Sequence, residues 1–247
     1  MSIESEADWR GLRAVGRVVR LTLDALERHT RPGITTGELD RVAAALFSAH
    51  GARSAPSLVY GFPGTVLISV NDEVVHGIPG ARRLAPGDLV KLDVTVEKDG
   101  YVADAARTVI VGSGTELSRR LAACAEAAFA AGAAVARAGT RVNEIGRFVE
   151  REVRRSGFSV IRGLTGHGVG RTIHEAPPVP NYYDARQRDV LTEGLVVTIE
   201  PIITCGGGDA FEDADGWTLR TTDGSLAAHH EHTLVITRDR PVLLTAA

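Results

Sequence analysis

The polar and apolar positions over residues 8–30 read as a helix, and Pro32-Gly33 ends it. A second helix is predicted from Gly37 to Ala49. Its start, Thr35-Thr36-Gly37-Glu38, has the form of a capping box, and Gly51 closes it. From Ser57 to Val111 the pattern changes. Val, Ile and Thr dominate, and Phe62-Pro63-Gly64 and Asp99-Gly100 supply turns, so this region reads as strands. Residues 118–138 form an Ala-rich helix, and another follows over 143–155. Strand-like runs return at 194–203 and 231–237. No low-complexity segment or long linker divides the chain.

The pattern is written twice. Gly33, Glu38, Leu39, Arg41 and Gly51 reappear 106 positions later as Gly139, Glu144, Ile145, Arg147 and Gly157. Gly87-Asp88-Leu89-Val90-Lys91-Leu92-Asp93 matches Gly194-Leu195-Val196-Val197-Thr198-Ile199-Glu200 at an offset of 107. Each of these segments leads to a second carboxylate before a β run, Asp104 and Glu231. Ahead of each lies a His-Gly pair, His76-Gly77 and His167-Gly168. The expectation is an α+β protein of two pseudo-symmetric halves, about 8–112 and 118–240, within one domain spanning 1–247. Their strands would form one curved, mostly antiparallel sheet covered by helices. The order matches His76 with His167 and Asp104 with Glu231.

Composition narrows the class. With 247 residues, 44% hydrophobic and 24% charged, the chain can bury a sizeable core. A net charge of -3 gives no reason to expect a nucleic-acid partner. No stretch is apolar for long enough to span a membrane. The start, MSIESEADWR, does not read as a secretory signal. Cys124 and Cys205 make neither a disulfide framework nor a thiolate metal site. The compartment expected is the cytoplasm.

The chemistry lies in the carboxylates. Asp93 interrupts the apolar run Leu89–Val96, where strand interiors disfavour Asp. Folding about Asp99-Gly100 sets Asp104 opposite Thr95, so Asp93 and Asp104 become diagonal neighbours on one face. Two bare carboxylates so close repel, and one takes up a proton unless a cation lies between them. Glu200 repeats the anomaly behind Val196-Val197-Thr198-Ile199. Any one of these acids alone reads as a solvent-facing strand residue, and a pair sharing a proton is the other alternative. Four carboxylates and an imidazole form a hard, oxygen-rich set suited to Mn, Fe or Co, and enough for two ions. Two ions can activate a water and polarise a carbonyl, which points to hydrolysis. His229, His230 and His232, crowded around Glu231, read as solvated and receive no catalytic role.

Five segments now resemble a known family. They are Asn71–Pro79, Lys91–Val96, Gly166–Gly170, Ile199-Glu200-Pro201 and Glu231-His232-Thr233, in register from about Leu12 to Val242. They resemble bacterial type I methionine aminopeptidase. The resemblance implies the pita-bread (creatinase/aminopeptidase) fold and two divalent ions, drawn from Co, Mn, Fe or Zn. It implies that Asp93 and Asp104 hold one ion, that His167 and Glu200 complete the other, and that Asp104 and Glu231 bridge. Glu200 would also accept a proton from the attacking water. His76 and His174 match non-ligand histidines that contact the substrate and its tetrahedral intermediate. The partners implied are the N-termini of nascent proteins and peptides, with a monomeric enzyme, no nucleic acid and no membrane.

The chain begins almost at the catalytic domain, so no targeting or ribosome-docking extension is expected. Only 32 residues separate His167 from Glu200, which leaves no room for the helical insertion of the type II branch. Phe62 and Trp217 keep two aromatic walls of the methionine pocket, with Val59 and Leu67 beside them. Val59, Pro56, Leu67, Ile173 and His229-His230 depart from the family's usual residues. Two alternatives stand beside this reading: a proline-directed peptidase of the same fold, and a pita-bread binding module without catalysis. His167 and His174, seven positions apart, point to opposite faces of a regular strand and converge only if Gly168 and Gly170 let it bend.

Overall fold

The computed structural model describes residues 1–246. The first half contains α1 (Glu6–His29), α2 (Thr36–Ala49), β1 (Arg53–Ser54), α3 (Ala55–Tyr60), β2 (Leu67–Val70), β3 (Glu73–Val75), β4 (Leu89–Lys98) and β5 (Tyr101–Ile110). The second contains α4 (Glu116–Ala133), α5 (Val142–Arg155), β6 (Ser159–Val160), β7 (Thr165–Gly168), β8 (Glu175–Pro180), β9 (Val196–Ile199) and β10 (Ile202–Thr204). It ends with β11 (Ala210–Glu212), β12 (Leu219–Thr221), β13 (Ala227–His229), β14 (His232–Val235) and β15 (Val242–Leu243).

Local signals account for the helix starts. Ser5 caps α1 by accepting a hydrogen bond from the Asp8 amide at 3.2 Å. The capping box at α2 is present in full: Thr35 Oγ1 accepts from the Glu38 amide, and Glu38 Oε2 accepts from the Thr35 amide. The strand region expected from Ser57 is wrong at its first residues, which belong to α3. Ser54 caps this helix, Pro56 lies in its first turn, and Gly61 closes it at φ 74°.

Every strand pairing is antiparallel. Among the described residues the strands form four hydrogen-bonded sheets. Two of them carry the frame: β1-β4-β2 with β5 on β4, and β15-β14-β9-β7-β8. Helices α1 and α2 bury Val15, Val19, Leu23, Leu26, Leu39 and Phe47 against the first. Helices α4 and α5 bury Leu121, Ala125, Ile145 and Val149 against the second. The halves therefore have separate apolar cores, and the strands between them carry polar side chains.

The backbone repeats as the sequence suggests. The bridge Thr35↔Arg83 recurs as Arg141↔Val190. The bond from Gly33 N to Leu84 O recurs from Gly139 N to Leu191 O, and that from Ala52 N to Phe47 O from Phe158 N to Val153 O. Register then corrects the matching by order. Val70, Val90 and Val109 lie side by side in the first half; Gly168, Val197 and Leu234 do so in the second. Counting from these rows, Asp93 does correspond to Glu200. Asp104, however, corresponds to His229, Ala106 to Glu231 and Ser69 to His167. His76 corresponds to His174, since it follows Ser69 as His174 follows His167. Order had misled because the spacing between strands differs in the two halves.

The halves meet along β5 and the β13–β14 segment. Ala106 and Glu231 exchange both backbone hydrogen bonds, at 3.3 and 2.9 Å. Thr233 Oγ1 accepts from the Asp104 amide and donates to the Asp104 carbonyl, at 2.8 and 2.7 Å. Thr108 Oγ1 does the same for His229, at 2.8 and 2.7 Å. Each threonine clamps the residue equivalent to the one its counterpart clamps. A pseudo-twofold axis between Ala106 and Glu231 explains this reciprocity.

Candidate metal centre

Strand β4 turns into β5 through Asp99-Gly100, both at positive φ (52° and 79°), the conformation of a two-residue hairpin. The turn fixes Thr95 opposite Asp104, the register expected from sequence. Asp93 and Asp104 thus share one face of the hairpin. Gly166 lets β7 lie close to β9, since a side-chain carbon there would stand 2.5 Å from the Thr198 carbonyl oxygen. Close approach brings the His167 amide to Thr198 Oγ1 at 3.1 Å, and the same hydroxyl donates to Glu200 Oε1 at 3.1 Å.

The structure brings Asp93, Asp104, His167, Glu200 and Glu231 into the lining of one cavity. Donor atoms of Asp104, His167 and Glu231 all lie within 4.8 Å of one another. Asp93 Oδ1, Asp104 Oδ1 and Glu231 Oε1 are buried without a hydrogen-bond partner among the described residues. Burial raises Asp93, Glu200 and Glu231 well above the usual carboxylate range, and repulsion from Asp104 adds to it in each. Burial likewise raises Asp104, to about 6, against hydrogen bonds from Thr95, Asp93 and Ala105. Burial pushes His167 down to about 4, so its ring is neutral at pH 7. Its Nδ1 faces the Gly168 carbonyl at 2.9 Å, which places the proton there and leaves Nε2 as a lone-pair donor. Nε2 lies 3.5 Å from Glu200 Oε1. Unmet acidic oxygens, mutual repulsion and a neutral imidazole with its lone pair free make a donor set that fits divalent cations.

His174 follows the turn after β7, ahead of β8, so the seven-residue spacing spans a hairpin and not one regular strand. Its ring centroid lies 4.3 Å from that of His167. The Tyr60 hydroxyl meets His174 Nδ1 at 2.6 Å, a contact not foreseen from the sequence. Burial lowers the pKa of His174 and of His76, the latter also through His174. Phe62 and Trp217 meet edge to face, centroids 5.2 Å apart, beside Leu67, His76 and Ile173 in the wall of a cavity of about 700 Å³. Pro56 and Tyr60 line it as well. Val59 does not: it is 53% exposed on α3, because the helical turn directs it away from its lining neighbours.

The histidines around Glu231 also differ from expectation. His229 is 1% exposed, not solvated, and lines the cavity. His230 and His232 pack against Phe129, and His232 Nδ1 meets Thr245 Oγ1 at 2.8 Å. The signal available in the sequence was the Ala227–His229 run, apolar enough to be a buried strand.

Known proteins resemble this chain in sequence and fold. A family model described as metallopeptidase family M24 matches residues 10–238. Methionine aminopeptidase 2 of Bacillus subtilis is 44% identical, with 99% of each chain covered. The solved methionine aminopeptidase of Rickettsia prowazekii superposes with a TM-score of 0.94 at 36% identity, covering 99% of this chain and all of that one. That of Thermotoga maritima superposes with a TM-score of 0.96 at 32% identity over the full length of both. The chain belongs to metallopeptidase family M24 and, within it, to the methionine aminopeptidases.

Proposed function

We propose that this protein removes N-terminal methionine from proteins and peptides by hydrolysis at a pair of divalent ions. Asp93, Asp104, His167, Glu200 and Glu231 would hold the ions, with Asp104 and Glu231 contributing to both. The observation that carries the reading is the set of unmet, buried carboxylate oxygens at the base of an aromatic-walled cavity. Bound there, such ions would lower the pKa of a water and polarise the scissile carbonyl.

The chain's own residues supply the rest. Glu200, held by Thr198 Oγ1, accepts the proton released as the water attacks. The Tyr60 hydroxyl lies 2.6 Å from His174 Nδ1; with that hydroxyl as the donor, the imidazole carries its own proton on Nε2. That N–H, on a ring that lines the cavity, donates to the oxyanion as it forms. His174 does this as a neutral ring, in keeping with its lowered pKa. His76 contacts the substrate from the equivalent place in the first half. Phe62 and Trp217 receive the flexible thioether side chain, with Leu67 beside them.

Initiator methionine as substrate fits work on nascent chains in the cytoplasm, and the single catalytic domain is read as a monomer. The net charge of -3 supplies no pull toward nucleic acid, and no described helix is long and apolar enough to cross a membrane. The test is release of methionine from a Met-Ala-Ser peptide by metal-depleted protein given Mn, Fe, Co or Zn. Turnover is expected with methionine preferred over leucine or norleucine. Preference for a prolyl or charged first residue, or no turnover with any ion, would sink the reading.

A further inference from the structure

His229 is the most buried imidazole of the centre, yet neither of its ring nitrogens has a hydrogen-bond partner among the described residues. Its Nε2 stands 3.7 Å from Glu200 Oε2 and 3.7 Å from Glu231 Oε2. Those separations are too long for hydrogen bonds. They suit two ligands of one ion, which at about 2.1 Å from the metal stand no more than about 4.2 Å apart. Donor atoms of Glu200, His229 and Glu231 all lie within 4.8 Å of one another, a group distinct from Asp104–His167–Glu231 except for Glu231.

The pseudo-twofold axis gives an independent reason. Asp93 and Asp104 are diagonal neighbours on one face of β4 and β5 in the first half; Glu200 and His229 occupy the same two places in the second. The clamps on Asp104 and His229, from Thr233 and Thr108, hold both backbones alike. An imidazole reaches further than the aspartate at the equivalent place, and this one is aimed between two acids.

We propose that His229 Nε2 is a sixth protein ligand, binding the ion that Glu200 and His167 hold. The inference rests on the dinuclear reading above. It gives that ion two imidazoles and leaves the Asp93 ion with oxygen donors alone. The second-half site should therefore prefer softer ions of the first transition row, and the first-half site harder ones.

Pulsed electron paramagnetic resonance on protein loaded with one equivalent of Cu²⁺ counts bound imidazoles through their remote nitrogens. Two imidazoles are expected in the wild type and one in both His229→Leu and His229→Gln. The glutamine variant keeps a polar side chain at the buried position, and melting curves establish that each variant is folded. Calorimetric titration with Mn²⁺ should show the affinity for one ion of the two falling at least about tenfold in both variants. A wild-type signal from one imidazole overturns the proposal even if no variant folds. An imidazole count unchanged by either substitution also overturns it. Wild-type protein that binds no ion at all would instead remove the dinuclear reading itself.

Discussion

The two halves of this protein share a backbone and differ in chemistry. Each places two helices over an antiparallel strand pair, and each pair delivers one acid at the same position, Asp93 and Glu200. Around that shared acid the halves part. The first puts Ser69, Lys91, Asp104 and Ala106 where the second puts His167, Thr198, His229 and Glu231. Lys91 is wholly buried, lowered to about 7 by burial, and donates to the Asn71 carbonyl at 2.7 Å. Thr198, in the same place, positions Glu200 and His167 instead. A duplicated frame thus fixes where groups converge, while single side chains decide what each half contributes. The first half contributes short acids; the second contributes imidazoles, longer acids and the hydroxyl that orients them.

The comparison is broken most directly at the acids read as metal ligands. Asp104→Ala should lose metal from the centre, and with it nearly all turnover, because Asp104 is read as a bridge. Glu200→Ala should lose about a hundred- to ten-thousandfold in turnover even at saturating metal, because it also removes the proposed proton acceptor. Metal analysis and steady-state kinetics on the same preparations check both. Near-normal turnover in Asp104→Ala would end the dinuclear account.

The equivalent histidines sharpen the comparison. His174→Ala should keep two ions per chain and still bind methionine. Its turnover should fall about a hundred- to a thousandfold, roughly 2.7–4 kcal/mol, for loss of an oxyanion donor. His76→Ala, at the matching place, should lose about two- to tenfold, the scale of one substrate hydrogen bond. Equal losses would mean that the halves share the oxyanion equally. A lowered melting temperature with unchanged rate would make His174 a structural residue.

A smaller effect tests the axis. Thr108→Val and Thr233→Val each strip two hydrogen bonds from a buried backbone at the junction. Each should lower stability by about 1–3 kcal/mol in denaturant unfolding. The two costs should be alike, because the clamps are equivalent. Strongly unequal costs would count against the pseudo-twofold relation.

Much of this was legible in the sequence, for identifiable reasons. The Thr35 capping box, the Asp99-Gly100 turn and its register, and five convergent acid and histidine positions are local signals that tertiary packing left intact. The short helix α3 was signalled too, by Ser54, Pro56 and Gly61, but a β-rich composition around it prevailed. The pairing of Asp104 with His229 was not legible. Strand register depends on loop lengths that differ between the halves, and a two-residue slip keeps the same face. The burial of His229 depends on β13 lying against distant strands, which no local pattern of histidines encodes. The Tyr60–His174 contact, across 114 positions, is likewise set by tertiary structure alone.

Calorimetric titration of the metal-depleted protein with Co²⁺ at pH 6, in buffers of different ionisation enthalpy, tests the central claim most directly. Asp93, Glu200 and Glu231 are raised well above the usual carboxylate range, and Asp104 to about 6. Without metal they hold protons at a pH where ordinary carboxyls have lost them, so an arriving cation must displace those protons. The account predicts two ions per chain, net proton release, and an affinity that falls as the pH drops below about 6. One ion or none per chain, or uptake without proton release, would contradict a dinuclear centre built from these four acids.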